Sequence, residues 1–292
     1  VDVPYVKQLA LSEVSLASAL REHGYQTWHV GKWHLGAAEF YPGKHGFDVN
    51  IGGYEGGYPH KGYFSPWQMP TLPEADPGTY LTDHLTDEAI RLIRARDPQR
   101  SYFLNLWHYA VHTPIQAPAE LVEKYKAKAA RLGLDKLPTF EEGEPFPTRT
   151  QHRVKRRLVQ SDPVYAAMIE NLDTNIGRLL DVVDENTIVI FTSDYGGLAT
   201  SEGSPTTNKP LAEGKGWMYE GGTREPLIVR WPGVIKPGSV CKSPITSPDF
   251  YPTLLEAAGL PLRPQQHVDG VSFQPALRGA TDFNRGPLFW HY

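Results

Sequence analysis

Amphipathic helical stripes alternate along this chain with short apolar runs that stop abruptly at polar residues, and this alternation restricts the possible folds more than any other feature. Ser15 followed by Leu16, Ala19 and Leu20, then closed by Gly24, predicts a short helix with an N-cap hydroxyl and a C′ glycine. "YQTWHV" has strand composition and ends at Gly31. Leu81, Leu85, Ala89, Leu92 and Ile93 form a second stripe, followed by the β-rich run "SYFLNLWHYAV", which stops at His112 and Pro114. Asp162 and Pro163 suit the N-cap and N1 positions of a long helix, with Tyr165, Ile169, Leu172, Ile176 and Leu179 on one face. It leads to "NTIVIFTSDYGG", whose almost unbroken apolar run reads as a strand buried on both faces. "LIVRW" reads as another strand, and Asp249 as the cap of a helix at "DFYPTLLEAAG". Elements in this order specify an α/β fold, a mostly parallel sheet sandwiched between helices.

With 292 residues, 40% of them hydrophobic, the chain can bury a sizeable core as a single α/β domain over 1–292. No stretch approaches the roughly 20 consecutive apolar residues of a membrane span. A net charge of −4 argues against bulk attraction to nucleic acid or anionic lipid, so an anion has to be held in a local pocket. The single cysteine, Cys241, cannot form an internal disulfide. Val1 in place of a methionine, and the aromatic close "PLFWHY", make both ends read as cut, so the fold is expected to be incomplete at the N-terminus and at the C-terminus. Residues 36–80 and 133–162 read as long connections, functional or partly disordered. The basic cluster "HRVKRR", 152–157, reads as a solvated face or loop, with contact to a polyanionic substrate as the alternative.

Ligands of open α/β sheets bind beyond the carboxyl ends of the strands. Those ends offer Lys32 and His34 after one strand, His112 after a second and Asp194 after a third. Lys32 and His34, two residues apart on extended backbone, would share a face and point at one anionic target. Each also has a plainer role open to it, a solvated lysine or a structural histidine. His108 and His112 have the i, i+4 spacing of a zinc pair, but no glutamate lies between them and the run is β-like, so zinc is excluded. Asp194, followed by Tyr195, Gly196 and Gly197, presents a carboxylate at a sharp turn. That suits a hard cation, calcium or magnesium, although one aspartate does not make a site; capping of the next turn is the alternative. Within "EGKGWMYEGGTREPLIVRWPG", Lys215 sits between two glycines and is a candidate anion contact, whereas Arg224 beside Glu225 and Pro226 reads as a structural anchor.

These segments together resemble the type I sulfatases of the alkaline-phosphatase-like superfamily. "GYQTWHVGKWHLG" resembles their second signature and "FTSDYGG" their metal-binding Ser-Asp-Asn-Gly segment. "GKGWMYEGGTREPLIVRWPG" resembles their lysine-bearing loop and strand, "HYAVHTP" their His-x-Pro element, "YAAMIENLDTNIGRLL" their long helix and "SPITSPDFYPTLLEAAG" the segment ahead of the late helix. The motifs run in family order from about residue 4 onward and are most similar to arylsulfatase A-like and N-acetylgalactosamine-6-sulfatase-like members.

The resemblance implies an alkaline-phosphatase-like sulfatase fold and hydrolysis of sulfuric esters, aryl or sugar sulfates. It implies that Lys32 and Lys215 grip the sulfate oxygens, that His34 assists breakdown of a covalent sulfate intermediate, and that His112 contacts sulfate and the leaving oxygen. Asp194 would be one ligand of a divalent cation, usually Ca2+, with Tyr195 standing where family members carry Asn or His; a phenol is a poorer neutral ligand than an amide oxygen. The formylglycine nucleophile of the family comes from a Cys-x-Pro-x-Arg motif ahead of the region matching residue 1, as does an Asp-Asp pair. Cys241, in "CKSPI", lacks that spacing and reads as a small, partly buried residue. This chain alone is therefore expected to be inactive. The implied partner is a small-molecule or carbohydrate sulfate ester, and the family's habit is secreted, periplasmic or lysosomal. A non-catalytic binder of sulfated ligands is the alternative, favoured by Tyr195; phosphodiesterases and phosphonate hydrolases of the superfamily rely on more metal ligands. All of this requires Lys32, His34, His112 and Lys215 to meet in one hollow.

Overall fold

The computed structural model describes residues 5–146, 149–280, 283 and 285–290. Val1 and the closing His291 and Tyr292, read above as cut ends, lie outside them. In chain order the elements are α1 (Leu16–Glu22), β1 (Gln26–Gly31), β2 (Val49–Ile51), α2 (Leu81–Arg94), β3 (Tyr102–Trp107), α3 (Ala119–Arg131), β4 (Phe140–Phe146), β5 (Arg149–Arg157), α4 (Pro163–Leu180), β6 (Val189–Thr192), α5 (Glu220–Thr223), β7 (Leu227–Arg230), α6 (Phe250–Ala257) and α7 (Gln274–Leu277). Short 3-10 turns punctuate the connections.

The centre is a parallel sheet in the order β2-β1-β3, with Trp28 opposite both Val49 and Leu104. Central β1 is buried from Thr27 to Gly31, as a strand covered on both faces must be. Trp28 and Val30 pack on one side with Leu81, Leu85 and Ile93 of α2 and Met168 of α4. On the other side Trp33, Phe47 and Ala17 form one cluster, and Ala19, Leu20 and Leu255 bring α1 and α6 together as a second. The expected helix–sheet–helix layering is present.

Several local expectations are met by their predicted chemistry. The Ser15 hydroxyl accepts from Ser18 N–H at 3.0 Å, and Gly24 takes φ +86° just past α1. The Asp162 carboxylate accepts from Val164 and Tyr165 N–H, both at 3.0 Å, ahead of Pro163.

Others are corrected. The buried seam of α4 is Ala167, Met168, Asn171 and Asn175, whereas Ile169 of the predicted stripe is exposed. Asp83 of α2 causes this: its Oδ1 accepts from Asn171 at 2.8 Å and from Asn175 at 2.6 Å, so the polar side chains satisfy one another inside the interface. Asp249 does not cap α6. It is fully buried and accepts from Thr246 and Val271 N–H and from Arg285, which makes it a hub for the last third of the chain.

The strand "NTIVIFTSD" is also not buried on both faces. β6 runs antiparallel to β7 in a separate two-stranded sheet, with Phe191 and Ile228 exposed, because among the described residues no further strand or layer covers them. The connection 36–80 is a core contributor: Tyr54, Tyr63, Trp67, Met69 and Leu72 join the main apolar cluster. Residues 133–162 include the antiparallel hairpin β4–β5. There Arg153 and Lys155 of the basic cluster are exposed, as a solvated face requires, while its last two residues turn inward: Arg156 pairs with Glu141 and the buried Glu213, and Arg157 bonds Ser204 O and Ser161. The side chain of His152 lies outside the described residues. Cys241 is exposed rather than partly buried, and Arg224 is an exposed side chain paired with Glu220 at 3.5 Å, not an anchor.

Candidate functional site

Because β1 and β3 are parallel, their carboxyl ends open at the same edge of the sheet. There Gly31, at φ +102°, lets the two strands close up: a Cβ on it would lie 2.0 Å from Trp107 O. Lys32 N–H then donates to the same Trp107 carbonyl at 2.8 Å, so the lysine leaves the sheet at a fixed point. His34 follows in left-handed backbone, φ +60°, with its N–H on Tyr54 O at 3.0 Å. Strand alternation is therefore not what aims Lys32 and His34 together. Both lie beyond β1, and the turn after Gly31 does the aiming.

After β3 the chain makes a turn in which His112 N–H donates to Tyr109 O at 2.9 Å. The buried Tyr63 hydroxyl, within 2.8 Å of Tyr109 O and 2.9 Å of His112 O, braces that turn from below. The His112 ring lies with Nδ1 3.0 Å from Thr113 O, and Tyr58 stacks on it at 5.9 Å between centroids. Nδ1–H donating to a carbonyl leaves Nε2 as the acceptor.

Lys215 arrives from the loop 197–215. Asn208 ties this loop by donating to Gly197 O and Glu213 O, both at 2.9 Å, and Arg157 and Arg156 hold Ser204 O and Glu213 from β5. Its ammonium donates to His112 Nε2 at 3.0 Å and faces Glu202 Oε1 at 3.3 Å. Lys32 Nζ stands 3.8 Å from Asp194 Oδ2.

The electrostatics couple these groups to one another. Burial lowers the pKa of Lys32, with Asp194 and Glu202 opposing and Lys215 adding to the shift. His34 is lowered by burial and then by Lys32, His112 and Lys215. His112 is lowered by burial too, with Lys215 and Lys32 contributing. Lys32, His34, His112 and Lys215, from three distant stretches of sequence, thus face one another, with both histidines biased to the neutral form.

Asp194 is half of a carboxylate pair. Burial, and then the charge of Asp194, push Glu225 up to about 7, and Glu225 Oε1 is buried without a hydrogen-bond partner. Among the described residues no group of three or more His, Cys, Asp or Glu is arranged to hold a metal. A hard cation needs six or more oxygen ligands, so these residues do not by themselves fit calcium. Tyr195 turns its ring toward Lys215, with Nζ 5.8 Å from the centroid.

The sulfatase family model matches residues 1–260. The chain belongs to the sulfatase family. A sulfatase of Formosa agariphila is 36% identical over 253 residues, covering 80% of this chain and 40% of that protein. Arylsulfatase J of Mus musculus is 31% identical, covering 90% and 42%, and N-acetylgalactosamine-6-sulfatase of Canis lupus familiaris is 29% identical, covering 94% and 50%. The crystal structure of Ps i-CgsB in complex with k-i-k-neocarrahexaose superposes with TM-score 0.71 at 26% identity, over 94% of this chain and 59% of that one. The chain spans about half the length of the curated relatives it matches.

Sequence reasoning missed Glu202, Thr113, Tyr58 and Glu225. "TSEGSP" carries no periodicity tying its glutamate to a lysine thirteen residues on, so only the folded loop reveals the contact. For Thr113, adjacency to His112 was the one available signal.

Proposed function

We propose that the protein carrying this chain hydrolyses sulfuric esters, and that Lys32, Lys215, His34 and His112 form the grip for the sulfate group. The observation that carries the reading is the meeting of these four side chains at the carboxyl edge of the sheet, with Lys215 on His112 Nε2 at 3.0 Å. A lysine about 4 Å from an oxyanion contributes roughly 4 kcal/mol at an effective dielectric near 20, before desolvation is subtracted. Two such lysines, each partly screened from water, favour charge building on the sulfuryl oxygens as the S–O bond breaks.

Neutral His112 accepts a hydrogen bond from Lys215 at Nε2, so a proton passed to the leaving oxygen would come from the Lys215 ammonium that His112 orients. His34, held neutral by burial and three neighbouring cationic or basic groups, suits proton removal during release of sulfate. In the family the attacking group is a formylglycine. Cys241 is exposed and lacks the required motif, so we assign the nucleophile to residues other than these 292 and expect no turnover from them alone. Asp194 would contribute one ligand to a divalent cation.

The substrate class follows from the relatives' descriptions: sulfatases of amino sugars and a carbohydrate-bound homologue favour a sulfated carbohydrate. A non-catalytic binder of sulfated ligands is the second reading, supported by Tyr195, whose ring engages the grip lysine. The test is a calorimetric titration of the protein with phenyl sulfate. Lys32→Ala and Lys215→Ala are each expected to weaken binding about tenfold or more, and unaltered affinity in both would refute the grip. Aryl sulfate release above background by the 292 residues alone would refute the assignment of the nucleophile elsewhere.

A further inference from the structure

We infer that Glu202 is a specificity-determining residue, an internal negative charge that lets the grip accept a singly charged sulfate ester and resist the doubly charged phosphate ester of the same shape. The inference rests on the sulfate grip proposed above and adds to it a residue with no role there.

Glu202 lies beside both gripping groups of the loop side. Its Oε1 is 3.3 Å from Lys215 Nζ, and its Oε2 is 3.9 Å from His112 Nε2 and accepts from the Thr113 hydroxyl at 2.9 Å. The backbone commits it to this place, since Glu202 takes φ +52° and Ser204 φ +47°, a left-handed passage fixed by Arg157 on Ser204 O. Burial opposes ionisation of its carboxyl, but the Thr113 hydroxyl, Lys215 and His112 together hold it below the usual carboxylate range. The charge is thus permanent at neutral pH.

An oxyanion hydrogen-bonded to Lys215 shares that ammonium with Glu202, and so sits within about 6 Å of the carboxylate. This is inside the screening length of roughly 8 Å at physiological salt. Coulomb repulsion scales with ligand charge, so Glu202 opposes a dianion twice as strongly as a monoanion, whatever other charges line the hollow. Sulfate monoesters carry one negative charge and phosphate monoesters carry two above neutral pH, at nearly identical tetrahedral geometry. Size cannot separate them, whereas a fixed negative charge can.

The experiment compares the dissociation constants of phenyl sulfate and phenyl phosphate at pH 8 in the full chain and in Glu202→Gln. Glu202→Asn serves as a second neutral variant that tolerates left-handed backbone; thermal melts establish that each is folded. The ratio of phosphate to sulfate affinity is expected to rise about tenfold in both variants. An unchanged ratio, with Lys215→Ala still losing phenyl sulfate, would overturn the role of Glu202 and leave the grip standing. Retention of phenyl sulfate by Lys32→Ala and Lys215→Ala, or no binding by the unaltered protein, would overturn both.

Discussion

Lowering the pH from 7 to 5 should cost this protein about 4 kcal/mol of stability through two histidines: His29, which is buried, and His108, whose ring nitrogens are shielded from water. His29 is fully buried in central β1, ringed by Trp33, Phe47 and Trp107, with Nε2 on Gly31 O at 3.1 Å and Nδ1 unpartnered. His108 follows β3, and both of its ring nitrogens are shielded from water without a hydrogen-bond partner. Burial pushes each down to about 4 from the ordinary 6.5. The folded state therefore refuses a proton that the unfolded chain accepts. Stability is complete above pH 6.5 and falls as the pH drops toward 4. Between pH 7 and pH 5 the linkage amounts to about 2 kcal/mol per histidine, a large share of the 5–15 kcal/mol typical of a domain. Urea melts at the two pH values, in the unaltered protein and in His108→Leu, measure it directly. The variant removes one titrating group and leaves no polar orphan at that position, so its loss between pH 7 and 5 should be smaller by about 2 kcal/mol. The same pH difference in both proteins would refute the reasoning.

Two further substitutions probe the scaffold that aims the site. Asp83→Ala strips the shared acceptor from Asn171 and Asn175 and should cost about 2–3 kcal/mol in a denaturant melt, while Asp83→Asn should recover part of it. Gly31→Ala would set a methyl group 2.0 Å from Trp107 O in backbone at φ +102°; on the order of 3 kcal/mol or more should be lost, seen as a lowered melting temperature together with weaker phenyl sulfate binding through the displaced Lys32.

Much of this molecule is legible before it folds, because the relevant physics is local. Ser15, Gly24, Asp162 and Pro163 mark helix ends, since capping bonds reach only two or three residues along the chain. The apolar run of β1 announces a central strand because such a strand is covered on both faces. Lys32, His34, His112 and Lys215 could be singled out as candidates because each follows a strand or lies in a glycine-flanked loop, and their recurrence in family order named the sulfatases.

Where long-range contacts decide, composition is silent. Asp83 draws Asn171 and Asn175 into the buried seam of α4, while of the apolar stripe Leu179 still packs on the core and Ile169 is left exposed. The same logic turns Arg156 inward to Glu213 and makes Asp249 a hub instead of a cap. Glu202 is the sharpest case at the site: no pattern in "TSEGSP" foretells a carboxylate on Lys215 and Thr113. The sequence on its own determined where α1, β1, α2, β3 and α4 form and which side chains stand at their ends. Only the tertiary structure decided which of those side chains share a hollow and what charge it holds, because electrostatic pairing depends on distance through space and not along the chain.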